Sequence, residues 1–522
     1  MKNNIIFNKK NFFIIFLFLF ALLINQYYGN RGIFPADSFA HFDTGFRILL
    51  GEYPFRDYWI VSGPLVDYFQ AIFFYFLGVT WQSYVLHASL INAILTLATF
   101  FVLINFNLNI YYSFVYSLFF SILAYPVSGT PFVDHHSAFF SLLGIYSLIL
   151  GIKTEKKIFW ILLPIFFVFG FLSKQVPSSY VILSAILILT TYSLFEKKLI
   201  WLKYSISSFI FLVLFLLIFG KFQGISFSSF LNQYILYPQS IGSERFENFF
   251  FTFRGFVGHF KFIYIALIPL FFINLKNFFF EAGYFKSRNF YYFLSLVLST
   301  SAFIIHQILT NNQTLIFFLI PILFAFSHIY LNLYKSKQTK FVSVILILIC
   351  LFAVVKYHIR FNENRKFHEL TYANFELASN GQEIDKKFIG LKWITPDYKN
   401  KPSEEIAALN QIKLHLEGDG RTKMVITNYS FFSSVLNEKL FSPSRWYISD
   451  GTDYPSKNSR HFINYKNLLI NLIKNNNIDV IYMIYPQQNS IIYDYIDKNC
   501  FEEIKISEML NSFQLKKCDE IK

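Results

Sequence analysis

Long apolar runs separated by short polar breaks fill the first two thirds of the chain. Eleven of them, at about 10–27, 84–106, 109–128, 134–152, 157–172, 176–195, 199–220, 259–275, 290–309, 313–333 and 340–357, come close to the roughly 17–25 residues needed to cross the hydrocarbon core. From about residue 358 the pattern changes to a charged, Asn- and Lys-rich stretch with shorter periods. Apolar runs at Lys423–Asn428 and Asp479–Tyr485 predict buried strands, and Tyr465–Lys474 and Ile504–Phe513 predict amphipathic helices. The fold class expected is an α-helical polytopic membrane protein of about 11 transmembrane helices, with juxtamembrane helices in its first outer loop and a small C-terminal extracytoplasmic α/β domain. The domains are then 1–357, including the first outer loop 28–83, and 358–522.

The run Leu65–Gly78 is apolar but short, follows Gly63-Pro64 and carries Asp67. Charge decides how to treat it. With eleven spans and the N-terminus inside, the inner pieces and their flanks hold about fifteen Lys and Arg, among them Lys153, Lys156, Lys197, Lys198, Arg288, Lys335 and Lys337; the longer outer loops hold about seven. A twelfth span would reverse that bias. Leu65–Gly78 is therefore read as a helix lying in the outer interface or re-entering the membrane. The same parity puts loops 28–83 and 221–258, the turn Ser128–Val133 and the C-terminal part outside. Lys9 and Lys10 precede an apolar stretch with no small-x-small cleavage site after it, which reads as an uncleaved signal anchor.

Composition agrees. Of the 522 residues 54% are hydrophobic and 15% charged, more apolar surface than a soluble domain can hide. The 70 Phe, together with the many Ile, Asn and Lys, read as a genome bias, so the aromatic richness carries no functional weight. The net charge of +14 sits largely in short loops, where it orients spans, so a nucleic-acid partner is excluded. Cys350 lies in an apolar run, whereas Cys500 and Cys518 lie in the polar part, as a disulfide if that part is extracytoplasmic or else as free thiols.

Titratable residues gather at the expected outer ends of the spans, where they are costly without partners. Asp37, after Pro35, is either a general base held at the membrane surface or the N-cap of a helix on which His41 follows four residues later, as Arg47 follows Asp43. Arg56 and Asp57 read as a structural pair in the first loop. Asp134-His135-His136 stands where a span begins. It reads as hydrogen bonding to a phosphate, a sugar or the first-loop Asp, or as a metal site, although adjacent His residues are not by themselves a metal spacing. Lys174, beside Gln175, either neutralises a lipid phosphate or snorkels to the interface. His306 and Gln307 are further candidates for the same pocket, and Arg245 and Arg254 in the 221–258 loop either contact a phosphate or pyrophosphate or are ordinary loop charges. No Walker, GxSxG, HExxH or dinucleotide motif is present, which excludes an ATP-driven pump.

The first-loop sequence PADSFAHFDTGFRILLGEYPFRDYW followed by SGPLVDYFQAIFFYFLG resembles the GT-C superfamily of integral-membrane glycosyltransferases. It is closest in style to the protein O-mannosyltransferase, aminoarabinose transferase and galacturonosyl transferase branch. The likeness rests on an acid after the first span, a Gly-x-x-Pro-Phe-Arg-Asp element about fifteen residues later and a Pro-Leu-containing juxtamembrane helix, and it covers about residues 10–357. Many relatives carry Asp-Glu where this chain has Asp37-Ser38, so a second acid would have to come from elsewhere, and Asp134 is placed to supply it.

The resemblance implies inverting transfer of a hexosyl or pentosyl group from a polyprenyl-phosphate donor to an envelope lipid, polysaccharide or protein on the outer face of a bacterial inner membrane. In that reading Asp37 and Asp134 are catalytic, and His41, His135, His136, Lys174, Gln175, Arg254 and His306 bind substrate. No cofactor is required, and a divalent metal is admitted but not favoured. Two rivals are a transporter or flippase of lipid-linked glycans and an O-antigen polymerase or ligase. The first should show inverted repeats and midplane polar residues, and the second a large loop late in the chain; neither pattern is seen.

Overall fold

The computed structural model describes residues 9–311, 314–334, 337–448, 452–485 and 490–518. Lys335, one of the orienting cations, and residue 313, where one predicted span begins, lie outside them.

Each of the eleven predicted runs contains an α-helix among the described residues. Among the described residues nine stretches are long and apolar enough to span a membrane: Lys9–Gly29, Trp81–Asn105, Ile110–Val127, Val133–Thr154, Gln175–Glu196, Ile200–Phe222, Lys261–Phe280, Arg288–Leu309 and Lys337–His368. The other two are Lys157–Ser173, with 17 residues, and Leu319–Asn332, with 14. The second is buried on every side along Leu319–Leu331, so its apolar character serves packing against other helices. The doubtful run is a separate 14-residue helix, Pro64–Leu77. One face buries Val66, Asp67, Gln70 and Phe74, while Ile72, Tyr75 and Phe76 are exposed on the other. An apolar outer face above a polar inner one suits a helix lying along a membrane surface.

The chain divides into two compact units. The first comprises Met1–Gly29, Ala88–Phe215 and Asn248–Phe367; the second comprises Asn30–His87, Leu216–Glu247 and His368–Lys522. The first unit is a helix bundle with one continuous core, in which Phe120, Phe139, Phe303 and Phe318 meet around the Val133–Thr154 helix.

The second unit is built on a four-stranded mixed sheet. Strands β1 (Lys423–Ile426) and β2 (Val480–Ile484) run parallel with Lys423 opposite Val480. Strand β4 (Leu510–Leu515) is antiparallel to β2 and to the edge strand β3 (Phe501–Lys505), giving the order β1-β2-β4-β3. The parallel pair β1 and β2 is buried along its whole length, because helices cover both faces. Val425, Val480 and Tyr482 pack with Leu409, Ile412 and Leu416 of the helix Pro402–Gly418. The alternate residues Met424, Ile426, Ile481 and Met483 pack with Leu469 and Ile473 of the helix Phe462–Asn475.

The helix expected at Ile504–Phe513 is instead the β3–β4 hairpin. The segment turns at Ser507, which accepts from and donates to Leu510 through the backbone, and the edge of β2 offers β4 a full ladder of partners. Cys500 and Cys518 close this hairpin as a disulfide.

The first-loop helix Pro35–Leu49 is part of the same core. The ring centroid of Phe39 lies 5.0 Å from that of Phe431, 5.7 Å from Trp393 and 5.6 Å from Trp81. Gly45 lets the two loop helices touch: a Cβ there would come within 2.7 Å of Gln70 Cγ. The expected loop 221–258 is mostly helical, with Phe227–Phe230, Leu231–Leu236 and Tyr237–Glu247 following one another without a break.

Candidate functional site

In the first unit, three helix ends bring together residues far apart in the chain. Asp134 lies in the first turn of the helix Val133–Thr154, where the helix dipole favours an anion. Lys174 sits at the break between Lys157–Ser173 and Gln175–Glu196, with extended backbone that releases its side chain from either helix. Its Nζ donates to both carboxylate oxygens of Asp134, at 2.8 and 2.7 Å. His306, near the end of Arg288–Leu309, brings Nε2 to 3.7 Å from Asp134 Oδ1. Asp134 and His306 are buried, and Lys174 retains 25% side-chain exposure. Gln175 begins the following helix beside this pair.

The adjacent histidines turn to a different task. His135 places Nδ1 2.9 Å from Ser128 Oγ and stacks on Phe139, and His136 Nδ1 pairs with the Tyr125 hydroxyl. Both ring contacts fix the turn at 125–128. Buried Arg365 fixes it from another side, donating to the carbonyls of Pro126, Val127 and Ser128 at 2.8, 3.2 and 2.9 Å. Among the described residues, no three His, Cys, Asp or Glu side chains group so as to hold a metal ion.

Beside His306, the side chain of Gln307 lies 3.2 Å from the imidazole Nδ1 and lines a cavity of ≈290 Å³. Arg254, His259, Asn311 and the rings of Phe249, Phe250, Phe251 and Phe256 also line it. Arg254 is exposed and makes no ion pair among the described residues. Partial burial lowers the His259 pKa, and so do the nearby cations Arg254, Arg360 and Lys366. The cavity is thus positive and aromatic at once.

The second unit holds the acids of the first loop. Phe34 is the N-cap of the loop helix and Pro35 its first residue, so Asp37 is the third helical position and not the cap. Pro suits a first position because its missing N–H is not needed there. Asp37 is half-buried, in the first turn, where the helix dipole favours its charge.

Further along, each face has its own partners. His41, expected at the substrate, is buried with Nδ1 2.6 Å from Asp67 Oδ1, and Thr44 donates to the same oxygen at 2.5 Å. Arg445 donates to both Asp67 oxygens at 3.2 Å and to the Ser62 carbonyl at 2.5 Å. Burial and Arg445 lower the His41 pKa against the pull of Asp67.

Asp43 accepts from Ser433 and lies 3.8 Å from Arg47, which in turn donates to Glu52 at 2.8 Å. Burial pushes Asp43 up to about 6, with Arg47 and Ser433 pulling the other way. Arg56 and Asp57 form a bidentate pair, and Arg56 also donates to the carbonyls of Gly51 and Gln223 at 2.7 and 2.8 Å. Sequence reasoning gave no role to Asp67, Arg445, Ser433, His259 or Arg365. Only Asp67 carried a signal, as an acid in an apolar run.

These features define a multi-pass α-helical membrane protein with a C-terminal α/β part. No protein-family model matches the chain. No curated protein matches it either. Among solved structures it is similar to the crystal structure of ArnT from Cupriavidus metallidurans bound to undecaprenyl phosphate, with a TM-score of 0.43 and 11% identity over 96% of this chain and 97% of that chain.

Proposed function

We propose that the protein is a membrane glycosyltransferase of the GT-C type, moving a sugar from a polyprenyl-phosphate donor to an acceptor hydroxyl of the cell envelope. The observation that carries this reading is the ≈290 Å³ cavity of the first unit. A lipid phosphate needs a cation for its head and apolar surface for its chain, and Arg254 beside four Phe rings offers both, with the His259 ring as a further hydrogen-bond partner. The first-loop resemblance supplies the chemistry.

Asp37 accepts the proton of the acceptor hydroxyl as its oxygen attacks the anomeric carbon. The bond from that carbon to the phosphate oxygen breaks, and the electron pair leaves with the phosphate, whose charge a cationic side chain stabilises. A single displacement inverts the anomeric centre. Lys174 has a different part from a free phosphate ligand: it is ion-paired with Asp134, the second acid. The reaction requires no cofactor.

The orientation follows from charge. The cluster Glu155, Lys198 and Arg288 gathers at the end of the Val133–Thr154 helix away from Asp134 and belongs in the cytoplasm. Asp134, Lys174 and the C-terminal part then belong on the outer face of a bacterial inner membrane, and the Cys500–Cys518 disulfide supports an oxidising compartment for that part. Mass spectrometry of a deletion strain tests the reading. A polyprenyl-phosphate sugar should accumulate, and the same sugar should vanish from an envelope glycan, lipid or protein. Unchanged lipid-linked sugars together with unchanged envelope glycosylation would refute it.

A further inference from the structure

In the second unit a cleft of ≈640 Å³ lies between the helix Phe462–Asn475, the helical stretch after Gly224 and the first-loop segment around Arg56. One wall is unusual. Asn464, Asn467, Asn471 and Asn475 follow one another at intervals of three, four and four residues, which sets them in a single stripe along the helix. All four are exposed, and none of their side-chain amides bonds to another described residue. Asn is a poor helix former, and a merely solvated face is better served by Lys or Glu. This helix does carry lysines, Lys466 and Lys474, but neither lines the cleft.

The opposite wall presents Ser226, Ser229 and Asn232. It is held in shape by Gln233, which is buried, donates to the Phe55 carbonyl and accepts from the Ile60 N–H, each at 3.1 Å. At the base lies Trp59, 2% exposed, whose buried indole N–H has no acceptor among the described residues. The charged residues that line the cleft are Arg56 and Asp57, and they neutralise each other.

Each amide offers both a donor and an acceptor, and each hydroxyl does the same. An anionic ligand would call for an unpaired cation here, and a peptide would call for open apolar pockets. Of the apolar residues in the lining, Phe55, Trp59 and Leu472 are buried, and Leu468 is partly buried against the same core. We propose that the cleft binds a neutral oligosaccharide, whose hydroxyls donate and accept at every unit. In the glycosyltransferase reading, on which this further role rests, the sugar is part of a glycan acceptor. The binding itself does not depend on transfer.

The test uses the full chain in lipid nanodiscs and an array of tetra- to hexasaccharides built from glucose, mannose, galactose and N-acetylhexosamines, with oligogalacturonate and a Gly/Ser decapeptide alongside. A neutral oligosaccharide should bind, and Asn467→Ala with Asn471→Ala should weaken it at least tenfold at unchanged thermal stability, whereas Lys466→Ala should not. Binding should persist in Asp37→Asn, so a failure of the catalytic reading would leave this result standing. The proposal is overturned if no neutral oligosaccharide binds, if the decapeptide or oligogalacturonate binds in preference, or if the double Asn variant binds as well as the parent.

Discussion

Asp67 and Arg445, 378 positions apart, meet as a fully buried ion pair, with the guanidinium 3.2 Å from both carboxylate oxygens. Asp67 also takes hydrogen bonds from His41 and Thr44, so the pair ties the first-loop helix to the C-terminal segment. Removing one partner strands the other charge without water. Arg445→Met or Asp67→Asn alone should cost about 3–5 kcal/mol of stability, and the double variant clearly less than the sum. Unfolding of the four proteins in one detergent measures this. Additive losses would mean that the two groups do not act as a pair.

Asp43 gives the same unit a pH dependence of definite sign. Its folded pKa, about 6, lies above the ordinary value of 3.8 because the carboxyl is buried. The folded state therefore binds more protons than the unfolded chain between those values. This contribution to stability is full below about pH 4 and is lost as pH rises through about 6, by an amount on the order of 3 kcal/mol. Asp43→Asn should flatten the fall in unfolding temperature across that window. An equal slope in the variant would place the titrating group elsewhere.

The spans were legible because length and continuity of apolar residues decide them, as at Ile200–Phe222, whose side chains face away from the protein almost throughout. Strands β1 and β2 were legible as short apolar runs between polar breaks. The hairpin at 501–515 was not, since Ile504–Phe513 has apolar residues at intervals compatible with a helix and only pairing with β2 selects the strand. Asp37 was placed one helical turn too early because Phe34, with no capping side chain, starts the helix. His41 fell on the face of Asp67, which no local pattern could foretell, because its other partner, Arg445, comes from the far end of the sequence. The Asp134–Lys174 pair was half legible: both residues stood out as charges at helix ends, but their contact is a tertiary fact.

Asp37→Asn should reduce transfer by about 100-fold or more, the usual worth of a general base, and leave expression and thermal stability unchanged. Its half-buried place in the first turn tolerates Asn, which preserves the size of the side chain and one acceptor oxygen. Transfer from a purified polyprenyl-phosphate donor gives the rate. Parental activity in this variant would remove Asp37 from the mechanism.

Arg254 and Lys174 should separate by kinetics. Arg254 has no carboxylate partner among the described residues, so Arg254→Gln should raise the KM for the lipid donor by roughly 10–100-fold, the worth of one charge-assisted hydrogen bond, without lowering stability. Lys174 is engaged by Asp134, so Lys174→Gln leaves a buried carboxylate with only the His306 ring, at 3.7 Å, beside it and should lower both stability and kcat. Equal effects of the two substitutions on KM alone would contradict this division.

Topology can be probed with single cysteines in a chain whose native thiols are inert, since Cys350 is buried and the other two are joined. Ser62 and Ser430 lie in loops expected outside, but at 5% and 8% exposure they are too buried to report on sidedness. Ser228 and Glu508 are exposed and belong to the same expected face, whereas exposed Lys197 belongs to the other. Ser228→Cys and Glu508→Cys should react with an impermeant maleimide in intact spheroplasts, and Lys197→Cys only after lysis. The reverse pattern would turn the whole assignment over. Labelling of Glu508→Cys but not Ser228→Cys would mean that one of the intervening helices, with Leu319–Asn332 the first to suspect at 14 residues, does not cross.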